Sequence, residues 1–522
     1  MSNAGKGELR IKDSASKWND PFILITLLIV SIIAHFPFVI EGIGEPDSAR
    51  IAAVVIDRIT HGTYGPLAGY YFTDTIPLYI EYLTFFIRLT HNNFTYLPMI
   101  MNYSNAFFAT MCVVPAYLII KWIFNNSTIA FCSVIALVFN PSFFQASTYG
   151  TPHLIAFFFF LVSLYFFILW IEGNRRFKYL MLLLSCLSLL ITMLIKTPIV
   201  LAGGIYPALL YIKKVRDKKK IVFSVLSLIS AFALFLVTRN QLIGSLNTET
   251  ASIGSLISWF KYFFGSVSLG FIMRQIKPPV LGLGVVTSVL GLISFFYFIL
   301  KRRVNVLLFV VSWSALSYFF WFFVYGNNTR HFMIGVLPVI VMIVIFLYDK
   351  APKLTLLLTI AIIFGNAVTT LPSPATNYTS GNLFKSSEMH KSRVKLYHDL
   401  AKELVNVTAD KVAVMGRFHN PYVVYEIVSS APTYDAKLLT SVRSSFIRIT
   451  ANDKEYMICY IDKTDPEAAI EKALKLYNLY DYTIVSATYD LQWLRQQGVK
   501  VMNTKLLDDY YSDSLKDILS FL

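Results

Sequence analysis

The stretch FILITLLIVSIIAHFPFVI, residues 22–40, runs directly into EGIGEPDSARIA, residues 41–52. The first part carries no Asp, Glu, Lys or Arg and matches the roughly 20 apolar residues that a helix needs to cross a bilayer. The second part is a turn marked by glycine and proline that presents Glu45, Asp47 and Arg50 within six residues. Charge placed where a chain leaves lipid is costly to desolvate, so such groups are the first to examine for function.

Working outward, apolar runs of the same kind recur at Ile221–Val237, Val304–Val324 and Phe332–Tyr348. Over all 522 residues, 56% are hydrophobic and 15% charged, with mean hydropathy +0.58. Soluble domains carry about a quarter charged residues, so much of this chain must avoid water. Runs this continuous satisfy their backbone in lipid only as helices. The first run begins too far from the N-terminus, and lacks the small-residue site, to read as a cleaved leader. The expected fold is a polytopic α-helical membrane protein with about eleven crossings over residues 1–371. A soluble α/β domain over residues 372–522 is expected to follow it.

The net charge of +15 becomes informative once it is located. From Pro372 onward, 18 Lys and Arg balance 18 Asp and Glu, so the excess lies between the apolar runs. A nucleic-acid surface gathers charge on a folded domain; this distribution is a topology signal, and no nucleic-acid partner is expected. Crossings are placed near 21–40, 98–120, 127–145, 154–171, 179–195, 198–212, 221–238, 281–300, 304–325, 332–348 and 354–371. Lys121, Arg175, Arg176, Lys178, the cluster Lys213–Lys220, Lys301–Arg303, Lys350 and Lys353 then fall on the side of the basic N-terminus, as cytoplasmic loops do. The C-terminal domain lies outside. Ile76–Leu89 is short, holds Glu81 and Arg88, and would invert every later loop if it crossed; it reads as an interfacial helix. Long external loops cover about Glu41–Leu97 and Arg239–Val280.

The tail alternates strand-like segments (Lys411–Met415, Tyr456–Ile461, Tyr482–Val485, Val499–Met502) with helix-like ones (Pro466–Tyr477, Asp490–Gln497). Leu371–Lys385 reads as its linker. Cys112, Cys132, Cys186 and Cys459 form no disulfide frame or metal spacing.

Ala52–Ile59 reads as a helix, placing Asp47 at or near its N-cap. Residue chemistry alone leaves Asp47 as a cap or as a working carboxylate. Lys196 reads equally as a snorkelling side chain at a helix end.

The segment Asp47-Ser48-Ala49-Arg50-Ile51-Ala52 through Gly62-Thr63-Tyr64 resembles the first external loop of GT-C glycosyltransferases. It is most similar to the protein O-mannosyltransferase and lipid A aminoarabinose transferase families. Three further pieces fall in the same order: Asp74-Thr75-Ile76-Pro77-Leu78-Tyr79, Leu194-Ile195-Lys196-Thr197-Pro198, and Thr329-Arg330-His331-Phe332 with Pro338. The resemblance covers about residues 1–371. It departs at Ser48, where a Glu is usual, and at Ile76, where a Pro is usual. The stretch Gln145–His153 also lacks the second acidic residue that many relatives carry. A divalent ion needs several oxygen ligands, usually carboxylates, so neither a metal nor any other cofactor is expected.

What the resemblance implies is transfer of a sugar from a polyprenyl (dolichyl or undecaprenyl) phosphate donor to a lipid, glycan or protein acceptor at the outer membrane face. The host membrane would be the cell membrane, or the endoplasmic reticulum in a eukaryote, with membrane lipids as further partners. Asp47 takes the role of general base. Lys196 and Arg330 take the donor phosphate, with His331, Arg239, Arg274 and Lys277 as further cations. Glu45, Arg50, Asp74, Tyr149 and His153 are the remaining pocket candidates. Two rivals stay open: a transporter or flippase for a lipid-linked or small solute, and a scaffold that presents the tail. A transporter typically shows internal repeats and charges near midplane, and neither is visible here.

Overall fold

The computed structural model describes residues 20–62, 64, 65, 67, 76–172, 177–243, 276, 279–324, 329–368, 395, 398–416, 420–439, 446–461, 465–486, 489 and 491–503. The membrane part opens with α1 (Asp20–His35), α2 (Pro46–Thr60), α3 (Pro77–Leu89), α4 (Leu97–Phe124) and α5 (Ser127–Val138). It continues through α6 (Pro141–Thr148), α7 (His153–Glu172), α8 (Lys178–Ile195), α9 (Ile205–Ile212) and α10 (Lys218–Ile243). Apolar helices Val285–Leu300, Val304–Val324, Val336–Lys350 and Thr355–Val368 follow.

Among the described residues six helical spans are long and apolar enough to cross a membrane, or seven if the bent pair α5–α6 counts as one. The other expected crossings fall on apolar helices at Ala202–Ile212, Val285–Leu300, Val304–Val324 and Pro352–Val368, of which Val304–Val324 has 21 residues and the others are shorter than a straight span. Two expected crossings are also not straight. The one near 127–145 bends by 54° where Asn140 and Pro141 end one helix and start the next. The Asn140 carboxamide caps the new helix at Ser142 and Phe143, and proline is tolerated at a first helical position. The one near 198–212 begins as a 3-10 segment, Thr197–Gly204, before α9. The expected external loop from Arg239 also starts later, because α10 stays helical to Ile243.

Burial sorts the spans. Only 28% of the α1 span is buried, against 78% of His331–Lys350, so the first lies at the rim and the second in the middle of the bundle. Helix α4 packs against α1, α5, α6 and α7, and α7 lies along α8. With 13 residues, α3 is too short to span; it packs on α2, α4 and α8.

The tail folds as a six-stranded sheet: β1 (Lys411–Gly416), β2 (Tyr434–Leu438), β3 (Phe446–Ala451), β4 (Lys454–Tyr460), β5 (Thr483–Ser486) and β6 (Val501–Asn503). The order is β2-β3-β4-β1-β5-β6, with β2, β3 and β4 antiparallel and the rest parallel. Strand β1 is buried at five of six positions, as a central strand covered on both faces must be. One face (Ala413, Met415, Met457, Cys459) packs on helix Pro466–Tyr477. The other (Val412, Val414, Ile447, Ile449) shares a single apolar cluster with helix Asn420–Ser430 and with α2. The sheet is therefore joined to the first loop through that helix.

Candidate active site

Helix α2 starts earlier than the Ala52–Ile59 pattern suggests. Glu45 occupies the N-cap with extended backbone, Pro46 is the first helical residue, and Asp47 sits inside the first turn. Asp47 is therefore not the cap, and the side chain of Glu45 does not cap the helix either. A carboxylate in this first turn is favoured by the positive end of the helix dipole. Arg50, one turn on, places Nη1 3.5 Å from Asp47 Oδ1, with the two side chains 23% and 33% exposed. Asp47 is thus held near a cation yet remains accessible. Glu45 is buried.

The stretch bearing Asp47 is tied to the stretch Gln145–His153 by a polar knot inside the bundle. Asn102, in the second turn of α4, donates through Nδ2 to Ile40 O (2.7 Å) and Gly42 O (2.8 Å). Its Oδ1 accepts the Gly150 amide at 2.6 Å. Ser48 Oγ donates to Gly150 O at 2.6 Å, and the Ile40 amide to Thr148 O at 3.0 Å. One turn further along α4, Asn105 Nδ2 donates to Tyr149 O at 2.6 Å. Gly150 is required by space: a Cβ there would collide with Met101 Cβ and lie 3.2 Å from Asn102 Oδ1. Buried carboxamides that satisfy loop backbone in this way are high-stakes, because each lost partner leaves a desolvated group.

Beyond the knot, His153 begins α7 and places Nε2 3.2 Å from His331 Nδ1, with ring centroids 5.2 Å apart. His331 lies in the 3-10 turn Thr329–Gly335, which packs against α6, α7 and the 3-10 segment Thr197–Gly204. Lys196 precedes that segment in extended conformation, is 7% exposed, and lies close enough for its charge to act on His153. Tyr149 is buried beside Ile40. The structure thus joins His153 to His331, packs the segment headed by Lys196 on the elements of both, and ties the Gly150 turn before His153 through Ser48 to the turn that bears Asp47. The backbone of Arg330 adjoins His331, and that of Arg239 lies in α10; the side chains of both fall outside the described residues. Asp74, Arg274 and Lys277 lie outside them altogether.

A second carboxylate, Asp57, escaped the sequence reading. It is buried in α2 and accepts the Leu67 amide (2.9 Å) and the Tyr434 hydroxyl (2.9 Å), with His61 Nδ1 at 3.1 Å. Burial raises its pKa above the ordinary carboxylate value, against the opposing pull of those partners. Burial, with the Asp57 charge, likewise pushes the Tyr434 hydroxyl up. Gly65 lies so close that a Cβ would meet Asp57 Oδ1 at 2.6 Å. Asn102 and Asn105 were also missed, although two polar residues three apart in an apolar run were a signal that could have found them. Asp57 gave no such signal, since it reads as an ordinary charge on a loop helix.

No protein-family model matches the chain, and no curated protein sequence matches it. Among solved structures the chain is similar to oligosaccharyltransferases and to ArnT. An oligosaccharyltransferase from Archaeoglobus fulgidus, in the apo form, shares 12% identity over 79% of this chain and 64% of its own, at TM-score 0.46. The archaeal oligosaccharyltransferase AglB from the same organism, with an inhibitory peptide and a dolichol-phosphate, gives 13% identity, the same coverage and TM-score 0.45. ArnT from Cupriavidus metallidurans, bound to undecaprenyl phosphate, gives 10% identity over 78% of this chain and 83% of its own, at TM-score 0.46. The chain spans about 64% of the length of the oligosaccharyltransferases it matches. At these scores the likeness assigns no residue a role and decides no activity.

Proposed function

We propose that this chain is an inverting glycosyltransferase that moves a sugar from a polyprenyl phosphate to an acceptor hydroxyl at the outer membrane face. What supports the reading is an accessible carboxylate, Asp47, whose neighbour Ser48 bonds Gly150 three residues before the His153–His331 contact. The buried cation Lys196 heads a segment packed on the helix of His153. The donor's lipid tail stays in the bilayer while its phosphate lies against Lys196, with Arg330 and His331 beside it. The acceptor oxygen attacks the anomeric carbon as the bond from that carbon to the phosphate oxygen breaks. The hydroxyl proton passes to Asp47, and the bonding pair leaves with the polyprenyl phosphate, whose growing charge the cations stabilise. The proposal places the N-terminus in the cytoplasm, the tail outside, and no divalent metal in the step.

The test is Asp47→Asn in purified protein supplied with a panel of polyprenyl-phosphate sugars. Loss of transfer with an unchanged thermal midpoint supports the base assignment, and retained transfer removes it. Absence of transfer in the parent with every donor tried would return the transporter and scaffold readings.

A further inference from the structure

The tail grips the first external loop on both sides of Asp47. Four residues before it, the Ile43 amide donates to His398 Nε2 at 3.2 Å, and His398 Nδ1 lies 2.8 Å from Glu426 Oε1. Ten residues after it, Tyr434 holds Asp57. Between the two, helix Asn420–Ser430, which carries Glu426, lies on α2. The tautomer follows from the partners. A carboxylate can only accept, so His398 keeps its proton on Nδ1 and donates it in a hydrogen bond to Glu426, which leaves Nε2 with the lone pair that receives the Ile43 N–H.

We propose that His398, fixed by Glu426, is a positioning residue for Asp47: the soluble tail clamps the Asp47 segment at Ile43 and at Asp57, and so holds the carboxylate at its working place. This rests on the reading of Asp47 as the base, and the two can be separated. The clamp makes a claim about backbone order that needs no catalytic assay. It also gives the tail a definite task, in place of a lid that opens or a platform that binds acceptor.

The experiment is hydrogen exchange of peptides covering residues 40–50 in the full chain, read beside transfer kinetics for the same variants. His398→Ala is expected to speed exchange at Ile43 about tenfold, the worth of one net hydrogen bond. It should lower kcat by a similar factor while leaving KM for the lipid donor in place, because the misplaced group acts in the transition state. His398→Gln, whose amide oxygen can still accept the Ile43 N–H, should recover most of the protection. Glu426→Gln, which no longer selects one tautomer, should fall between. Should His398→Ala fail to fold, His398→Gln and Glu426→Gln carry the test. Unchanged exchange at Ile43 in His398→Ala overturns the clamp, as does faster exchange with unaltered kcat. Faster exchange at Ile43 in a chain whose Asp47→Asn variant keeps full transfer overturns the base assignment and, with it, His398's catalytic relevance, while the contact itself survives.

Discussion

Asp47 and Asp57 sit ten residues apart on one helix and live in opposite circumstances. Asp47 is a third exposed in the first turn of α2, with Arg50 3.5 Å away. Asp57 is fully buried and engaged by a backbone amide, a tyrosine and a histidine. Full burial and three partners shared between its two oxygens make Asp57 a structural fixture, out of reach of a substrate proton. A carboxylate with access and a nearby cation remains available for chemistry. On the proposed function, the helix carries a working end and an anchoring end.

The sharpest break in that contrast is to exchange the roles. Asp47→Asn should cut transfer by about 10²–10⁴-fold, the usual worth of a general base, with little change in the thermal midpoint. Asp57→Ala should do the reverse. It leaves Tyr434 and the Leu67 amide without their acceptor and should cost about 2–3 kcal/mol of stability in chemical denaturation, with activity per folded molecule far less affected than in Asp47→Asn. If Asp57→Ala instead matches Asp47→Asn in lost turnover at full stability, the division of labour is wrong.

Smaller changes sharpen it. Gly150→Ala forces a Cβ into Met101 and should cost about 1–3 kcal/mol, as overpacking does; a midpoint equal to the parent's would mean the knot is looser than described. Ser48→Ala removes the bond to Gly150 O and should cost about 1 kcal/mol, read as a small midpoint shift. The least effect is in pH. Because burial raises the pKa of Asp57, the folded chain holds that proton more tightly than the unfolded one. The stability this group contributes is complete below the ordinary value of 3.8 and is lost as pH rises through the folded value. Asp57→Asn should abolish that slope, so the midpoints of parent and variant should diverge with rising pH, the parent losing ground. Parallel midpoints across the range would show that Asp57 does not titrate in this way.

The loop bearing Asp47 was legible because charge beside an apolar run is conspicuous; Phe22–Ile40 and the α1 span Asp20–Phe38 mark nearly the same residues. Strands β1, β4 and β5 fall on the apolar segments read from the tail, since a buried strand is apolar almost throughout. Strand β2 was not read: Asp435 and Lys437 alternate within it at the edge of the sheet, where polar residues are at home. Helix Asn420–Ser430 was missed because it is wedged between the sheet and α2. Eight of its eleven residues are buried, so no polar face marks a helical period. The same distance hid the clamp. Asp57 and Tyr434 are 377 residues apart, and Ile43 and His398 are 355 apart. No local pattern announces such pairs, whereas the α4 carboxamides betray themselves within a single helix.

That separation has a bearing on biogenesis. The first loop leaves the ribosome early, but the groups that complete its packing arrive only when residue 434 has been made. Until then the Ile43 amide and the Asp57 carboxylate must be hydrated or shielded by other means. Long-range closure of this kind is slow compared with helix formation. A nascent or truncated molecule would therefore carry its spans in place with the Asp47 loop unfinished, and competence would come as the final step of synthesis.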